Sequence, residues 1–227
     1  MDRIGSDRAM ERLNQELALM GSLVEQQLME LGECWQSFRS DCVERILKIE
    51  EQINQKHKAI DETCVELIAQ FSPKATDLRR VFAINKMNND LERMGDQCRN
   101  CAFILKDLKE ELMMDERQTP IGTMLELAKK MVVTALDAFI LGDMIKAHTV
   151  LDLDDRLDRQ KDDTVELMEQ KIMQNPGKVK CFLSQIFLAK NIERIGDHAT
   201  NLAEEIIYFK TGEDVRHLGK VDLNRKS

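Results

Sequence analysis

The chain has 227 residues, 43% hydrophobic and 33% charged, with a net charge of −8, three prolines, ten glycines and 4% aromatic residues. That charge balance excludes a protein that holds nucleic acid or anionic lipid through basic residues, and no apolar run reaches the roughly 20 residues needed to cross a bilayer. Few breakers and many Met, Leu, Ile, Glu and Lys residues point to an all-α globular protein.

The opening Met1-Asp2-Arg3-Ile4-Gly5 lacks the apolar centre of a signal peptide, so the expectation is a cytoplasmic chain. Its six cysteines (Cys34, Cys42, Cys64, Cys98, Cys101 and Cys181) show no secreted framework and are read as reduced core residues. Apolar residues recur in steps of three and four at Met10, Leu13, Leu17, Met20, Val24, Leu28 and Leu31, which predicts an amphipathic helix over about 6–32. The pattern breaks from Trp35 to Ser40, where Ser40 or Asp41 would cap the next helix.

The second helix runs to about Gln70 through Val43, Ile46, Ile49, Ile53, Ile60, Cys64 and Leu67, with His57 in the gap of the seam. Ser72-Pro73 reads as a stop, then a cap and a first-turn proline. The third helix, predicted from Pro73 to Met113, has Leu78, Val81, Ile84, Met87, Leu91, Met94, Cys98, Cys101, Leu105, Leu108 and Leu112 as its seam, with a bend expected near Gly95. A charged linker from Asp115 ends in Thr119 as a cap and Pro120 at the first helical position. The fourth helix passes through Met124, Ala128, Met131, Ala135 and Ala138 to Gly142-Asp143, which closes it and opens the fifth. The fifth, predicted over 143–174, has Ile145, Thr149, Leu153, Leu157, Thr164, Met168 and Ile172. Asn175-Pro176-Gly177 breaks the chain, and a sixth helix over about 178–210 ends at Thr211-Gly212.

The third and sixth helices carry one signature twice. Asn89-Asp90-Leu91-Glu92-Arg93-Met94-Gly95-Asp96 and Asn191-Ile192-Glu193-Arg194-Ile195-Gly196-Asp197 share Glu-Arg-apolar-Gly-Asp, and each leads on to an asparagine. Glu92, Asp96 and Asn100 reappear at Glu193, Asp197 and Asn201, displaced by 101 residues each time. The chain is therefore an internal duplication of a three-helix unit, giving two tandem three-helix bundles at 6–114 and 118–212 with a polar tail at 213–227.

A spacing of four keeps each Glu, Asp and Asn on nearly one helix face. The preceding helix offers Asp154 and Asp158 in the second half, and Glu50 with Asn54 in the first. Carboxylates converging across a helix contact repel one another, and a hard, oxygen-seeking cation relieves that repulsion. Asn54 is a neutral donor where the second half has an acid, so the second site is the stronger. The competing reading is a solvated face in which Arg93, Arg194 and nearby lysines pair with the acids for a few tenths of a kcal/mol. Gly95 and Gly196 weigh against it, because a mid-helix glycine costs about 1 kcal/mol and points to close helix approach. His57 reads as a hydrogen-bonded seam histidine, with ligation the alternative. His198 follows Asp197 and does not face it. Cys98 and Cys101 have CxxC spacing but fit the core seam. No Glu-x-x-His pair, phosphate-cradling glycine loop or nucleophile motif is present.

At these residues the sequence resembles the PhoU family. The resemblance covers about Ala9 to His217 and rests on the doubled signature, on Ser72-Pro73-Lys74-Ala75-Thr76-Asp77-Leu78-Arg79, and on Ala199-Thr200-Asn201-Leu202-Ala203-Glu204-Glu205 with the residues that follow to Glu213. It implies two tandem three-helix bundles and multinuclear iron or zinc sites, or sites for another hard divalent cation. By position these would be Asp154, Asp158, Glu193 and Asp197 with Asn201 nearby, and Glu50, Glu92 and Asp96 with Asn100 one turn on. It also implies a cytoplasmic, non-enzymatic negative regulator of phosphate uptake and the phosphate-starvation response. Such a regulator links the ATPase subunit of a phosphate ABC importer to a phosphate-sensing histidine kinase, without nucleic acid or membrane insertion, and forms homodimers. The alternatives are a metal-dependent hydrolase or metal-storage bundle, and a metal-free helical interaction protein.

Overall fold

A computed structural model of the chain describes residues 3–38, 40–108 and 119–212. Among them the helices are α1 (Arg3–Gln36), α2 (Ser40–Phe71), α3 (Thr76–Leu108), α4 (Ile121–Leu141), α5 (Met144–Gln174) and α6 (Val179–Thr211), with a 3-10 turn at Pro176–Lys178 before α6. The all-α reading holds. The expected end of the third helix at Met113, most of the linker after Asp115 and the tail at 213–227 lie outside the described residues.

Local chemistry sets the helix ends. Gly142 adopts φ 63°, where a side chain would be strained, and its amide turns back to the last carbonyls of α4. Asp143 then caps α5, accepting the Ile145 amide at 2.9 Å and the Lys146 amide at 3.2 Å. Three boundaries differ from the sequence reading. α3 begins at Thr76 and not at Pro73, because Ser72 and Ala75 take φ 46° and 45° in a short loop; a proline disfavours helical backbone in the residue before it. α4 begins at Ile121, with Pro120 in the capping position and no side-chain cap from Thr119. α1 continues to Gln36, since Trp35 is buried in its last turn.

In each half all three helices touch one another: α1, α2 and α3, then α4, α5 and α6. The halves join through α3 against α6 and α1 against α4, so one apolar core runs through both. The predicted seams of α1, α2, α3 and α4 are almost wholly buried among the described residues. The α5 seam is displaced at its start: Ile145 and Thr149 face solvent, and Ala147, Val150 and Leu151 take the core positions. Repeated steps of four advance about 400° and drift off one face, so two such steps misplaced the stripe.

Cys34 near the end of α1 and Cys42 in the first turns of α2 are joined in a disulfide, with Cα atoms 5.9 Å apart. Both were expected to be reduced. Adjacent seam positions on two antiparallel helices meet where the chain turns, and that places the two sulfurs together. Cys64, Cys98, Cys101 and Cys181 are free and buried as expected.

Two glycines inside α1 differ in what surrounds them. A Cβ at Gly21 would collide with the Leu136 side chain of α4, whereas at Gly32 it would meet nothing nearer than Glu126 Oε1 at 4.0 Å. Gly21→Ala is expected to destabilise the protein by about 1–2 kcal/mol through overpacking at the junction of the halves. Gly32→Ala is expected to stabilise it by up to about 1 kcal/mol through helix propensity. Urea titration of the two variants checks both signs.

Candidate functional site

The doubled motif lies mid-way along α3 and α6, and its glycine determines what comes next to it. A Cβ on Gly95 would stand 3.2 Å from Ile53 of α2, and one on Gly196 would strike Leu157 of α5. Ile53 lies between Glu50 and Asn54, and Leu157 directly precedes Asp158. The glycine therefore lets the motif helix come close to its predecessor beside the acids. The close approach expected from sequence is present in both halves.

In the second half, Asp158 of α5 and Glu193 and Asp197 of α6 come near enough to act on one another. Loss of solvation raises the Glu193 carboxyl above its usual range, and Asp197 and Asp158 raise it further against the pull of Lys161 and Arg194. Asp197 is raised by loss of solvation and then by Asp158, opposed by His198, Arg194 and Lys161, although its side chain still reaches solvent. Lys161 Nζ stands 3.8 Å from Glu193 Oε1, but its short contact, at 2.7 Å, is with Asp162 outside the line. Asp154 lies half-buried one turn before Asp158 on the same helix. The donor set is all oxygen, which suits a hard cation. Among the described residues, no three His, Cys, Asp or Glu side chains are drawn into metal-binding geometry.

The first half is wired differently. Arg99 Nη1 lies 2.9 Å from Glu50 Oε1 and 3.0 Å from Asp96 Oδ1, tying α2 to α3. Asn54 Nδ2 donates to the same Glu50 oxygen at 2.8 Å. Arg93 pairs more loosely with Glu92 at 3.5 Å and Asp96 at 3.6 Å. These donors and cations occupy the carboxylates, and the residues do not fit a metal ion as they stand. Asn100 is half-buried one turn beyond Asp96.

Asn201 is turned away from the second acid line. Its Nδ2 donates to Asp90 Oδ1 of α3 at 3.0 Å, and His198 Nδ1 meets the same oxygen at 2.8 Å. Lys86 pairs with Glu205 at 2.8 Å and lies over the Tyr208 ring. Rising numbers on α3 meet falling numbers on α6, so the two motif helices cross antiparallel and are tied by polar contacts. Sequence reasoning missed this seam, because nothing local marks Asp90 as the partner of residues more than a hundred positions away. His57 behaves as a hydrogen-bonded histidine, its Nε2 3.2 Å from Asn89 Oδ1. Burial pushes the Cys101 thiol up to about 12 and the Cys98 thiol well above its usual value, which suits inert core residues.

Because Glu193 and Asp197 have raised folded-state pKa values, the folded protein holds protons that the unfolded chain releases from about pH 4 upward. Their ionisation therefore lowers stability as pH rises through that window. Asp197→Asn is expected to raise the unfolding midpoint of chelator-treated protein at pH 7, by no more than about 1 kcal/mol. The gain should vanish as pH falls toward about 4. A loss at pH 7 would show that attraction to Lys161, Arg194 and His198 outweighs the repulsion.

The family model described as the PhoU domain matches residues 17–105 and 121–206, one copy in each half. The chain is 35% identical over 210 residues to a Pseudomonas aeruginosa protein named phosphate-specific transport system accessory protein PhoU homolog, covering 92% of this chain and 87% of that one. It is 31% identical over 220 residues to the Escherichia coli phosphate-specific transport system accessory protein PhoU, covering 95% and 89%. Its structure resembles the crystal structure of PhoU from Pseudomonas aeruginosa with a TM-score of 0.85 at 34% identity, over 91% of this chain and 99% of the other. It also resembles the phosphate transport system regulatory protein PhoU from Streptococcus pneumoniae, with a TM-score of 0.84 at 27% identity, over 92% and 99%.

Proposed function

The chain belongs to the PhoU family, and from that membership we propose that it is an accessory protein of a phosphate-specific transport system that restrains phosphate uptake and the phosphate-starvation response. The observation that carries this reading is the match of both halves to the PhoU domain, together with near-complete coverage of relatives named for that role. It acts as a cytoplasmic, non-enzymatic adaptor between the ATPase subunit of a phosphate ABC importer and a phosphate-sensing histidine kinase, and it forms a homodimer. Among the described residues no helix is long and apolar enough to cross a membrane. The repeats at 6–114 and 118–212 are its two working units, and 213–227 is a polar tail.

The second acid line adds a metal to this reading. Asp154, Asp158, Glu193 and Asp197 hold a cation of the iron or zinc type between α5 and α6, with no step of catalysis attached to it. Positive charge there cancels the mutual repulsion that raises the Glu193 and Asp197 carboxyls. A bound ion would then stabilise the folded state by an amount that grows with the logarithm of its concentration above its dissociation constant.

Deleting the gene is expected to switch on a phosphate-starvation reporter in phosphate-replete medium, with rescue by the intact chain. A reporter that stays silent in the deletion strain rejects the regulatory reading. Elemental analysis of native protein beside Asp158→Asn/Asp197→Asn tests the metal: the variant should lose it while keeping its helical circular dichroism. Equal metal content in the two proteins would reject the second line as the site.

A further inference from the structure

We infer that the guanidinium of Arg99 fills the first acid line as a built-in cation and closes that half of the protein to metal. The inference deepens the metal-binding reading above, and it rests on that reading only for the conclusion that the second half then takes the ion alone.

The two lines are built on the same backbone plan. Ile53 meets Gly95 as Leu157 meets Gly196, so Glu50 corresponds to Asp154 and Asn54 to Asp158. On the motif helices, Arg99 stands where the second half has Thr200. Both differences act in one direction: the first half exchanges an acid for an amide and gains a cation.

The geometry makes the exchange specific. One guanidinium nitrogen bridges Glu50 of α2 at 2.9 Å and Asp96 of α3 at 3.0 Å, across the gap an ion would have to span. Glu50 is only 12% exposed, and its Oε1 also receives the Asn54 amide at 2.8 Å. A metal would have to displace two donors from that oxygen and leave a charged guanidinium beside itself. In the second half Thr200 Oγ1 is turned back to the Gly196 carbonyl at 3.1 Å and brings no charge. Lys161 makes its short contact outside the line.

The test uses the full chain, stripped with chelator and titrated with Zn²⁺ by calorimetry, with bound zinc counted by elemental analysis and folding checked by circular dichroism. Asp158→Asn/Asp197→Asn removes the second line. Adding Asn54→Asp/Arg99→Thr to that background gives the first half an acid at 54 and a neutral residue at 99, as the second half has at Asp158 and Thr200. The expected result is that the background binds no zinc specifically and the four-substitution protein gains affinity on the order of ten- to a hundred-fold. The inference is overturned if the background still holds zinc and Glu50→Gln/Asp96→Asn removes it. It is also overturned if the folded four-substitution protein gains nothing. Should the unsubstituted chain bind no zinc, the metal reading of the second half falls, and the presence or absence of the gain still decides the role of Arg99.

Discussion

Carboxylates held against one another across a close helix contact are the constraint on which this architecture turns. A glycine in each motif removes the side chain that would hold the helices apart, and the same step brings acids on neighbouring helices together. Packing gains apolar contact through Ile53 and Leu157, both fully buried, worth about 1.5–3 kcal/mol each. The cost is repulsion and partial desolvation beside them.

The two halves respond differently. In the first, Arg99, Arg93 and Asn54 place donors or positive charge on Glu50, Glu92 and Asp96, and the line is satisfied by its own chain. In the second, the cost remains visible in the raised carboxyls of Glu193 and Asp197. The halves are not insulated from each other. Their motif helices pack directly together, tied by Asp90 to His198 and Asn201 and by Lys86 to Glu205, over a core that includes residues of all six helices. Strain at one acid line therefore bears on the helix that carries the other.

Much of this was legible in the sequence because periodicity records burial. The seams of the first four helices, the Gly142-Asp143 junction and the duplication all follow from apolar steps, a glycine before a capping acid, and one signature written twice. The motif glycines announced close approach because they are costly mid-helix. What stayed hidden depends on contacts between distant segments. Arg99 carries no local mark in the sequence, and its role needs Glu50, 49 positions away, at bonding distance. The joint partner of His198 and Asn201 on α3 carries no local mark. Cys34 and Cys42 looked like two core positions, and only the antiparallel turn brings their sulfurs together.

The first acid line is paired by its own arginine when the chain folds, whereas the second keeps carboxyls raised by burial and by one another. Removing one partner from an ion pair that is largely out of solvent leaves an uncompensated charge, which makes the first line a fixed strut between α2 and α3. In the second line Lys161 reaches Glu193 only at 3.8 Å, and the raised Glu193 and Asp197 carboxyls make stability vary with protonation. A duplicated bundle with one acid line paired within its own chain and one under mutual repulsion, sharing a single core, couples the two lines through the packing of α3 against α6.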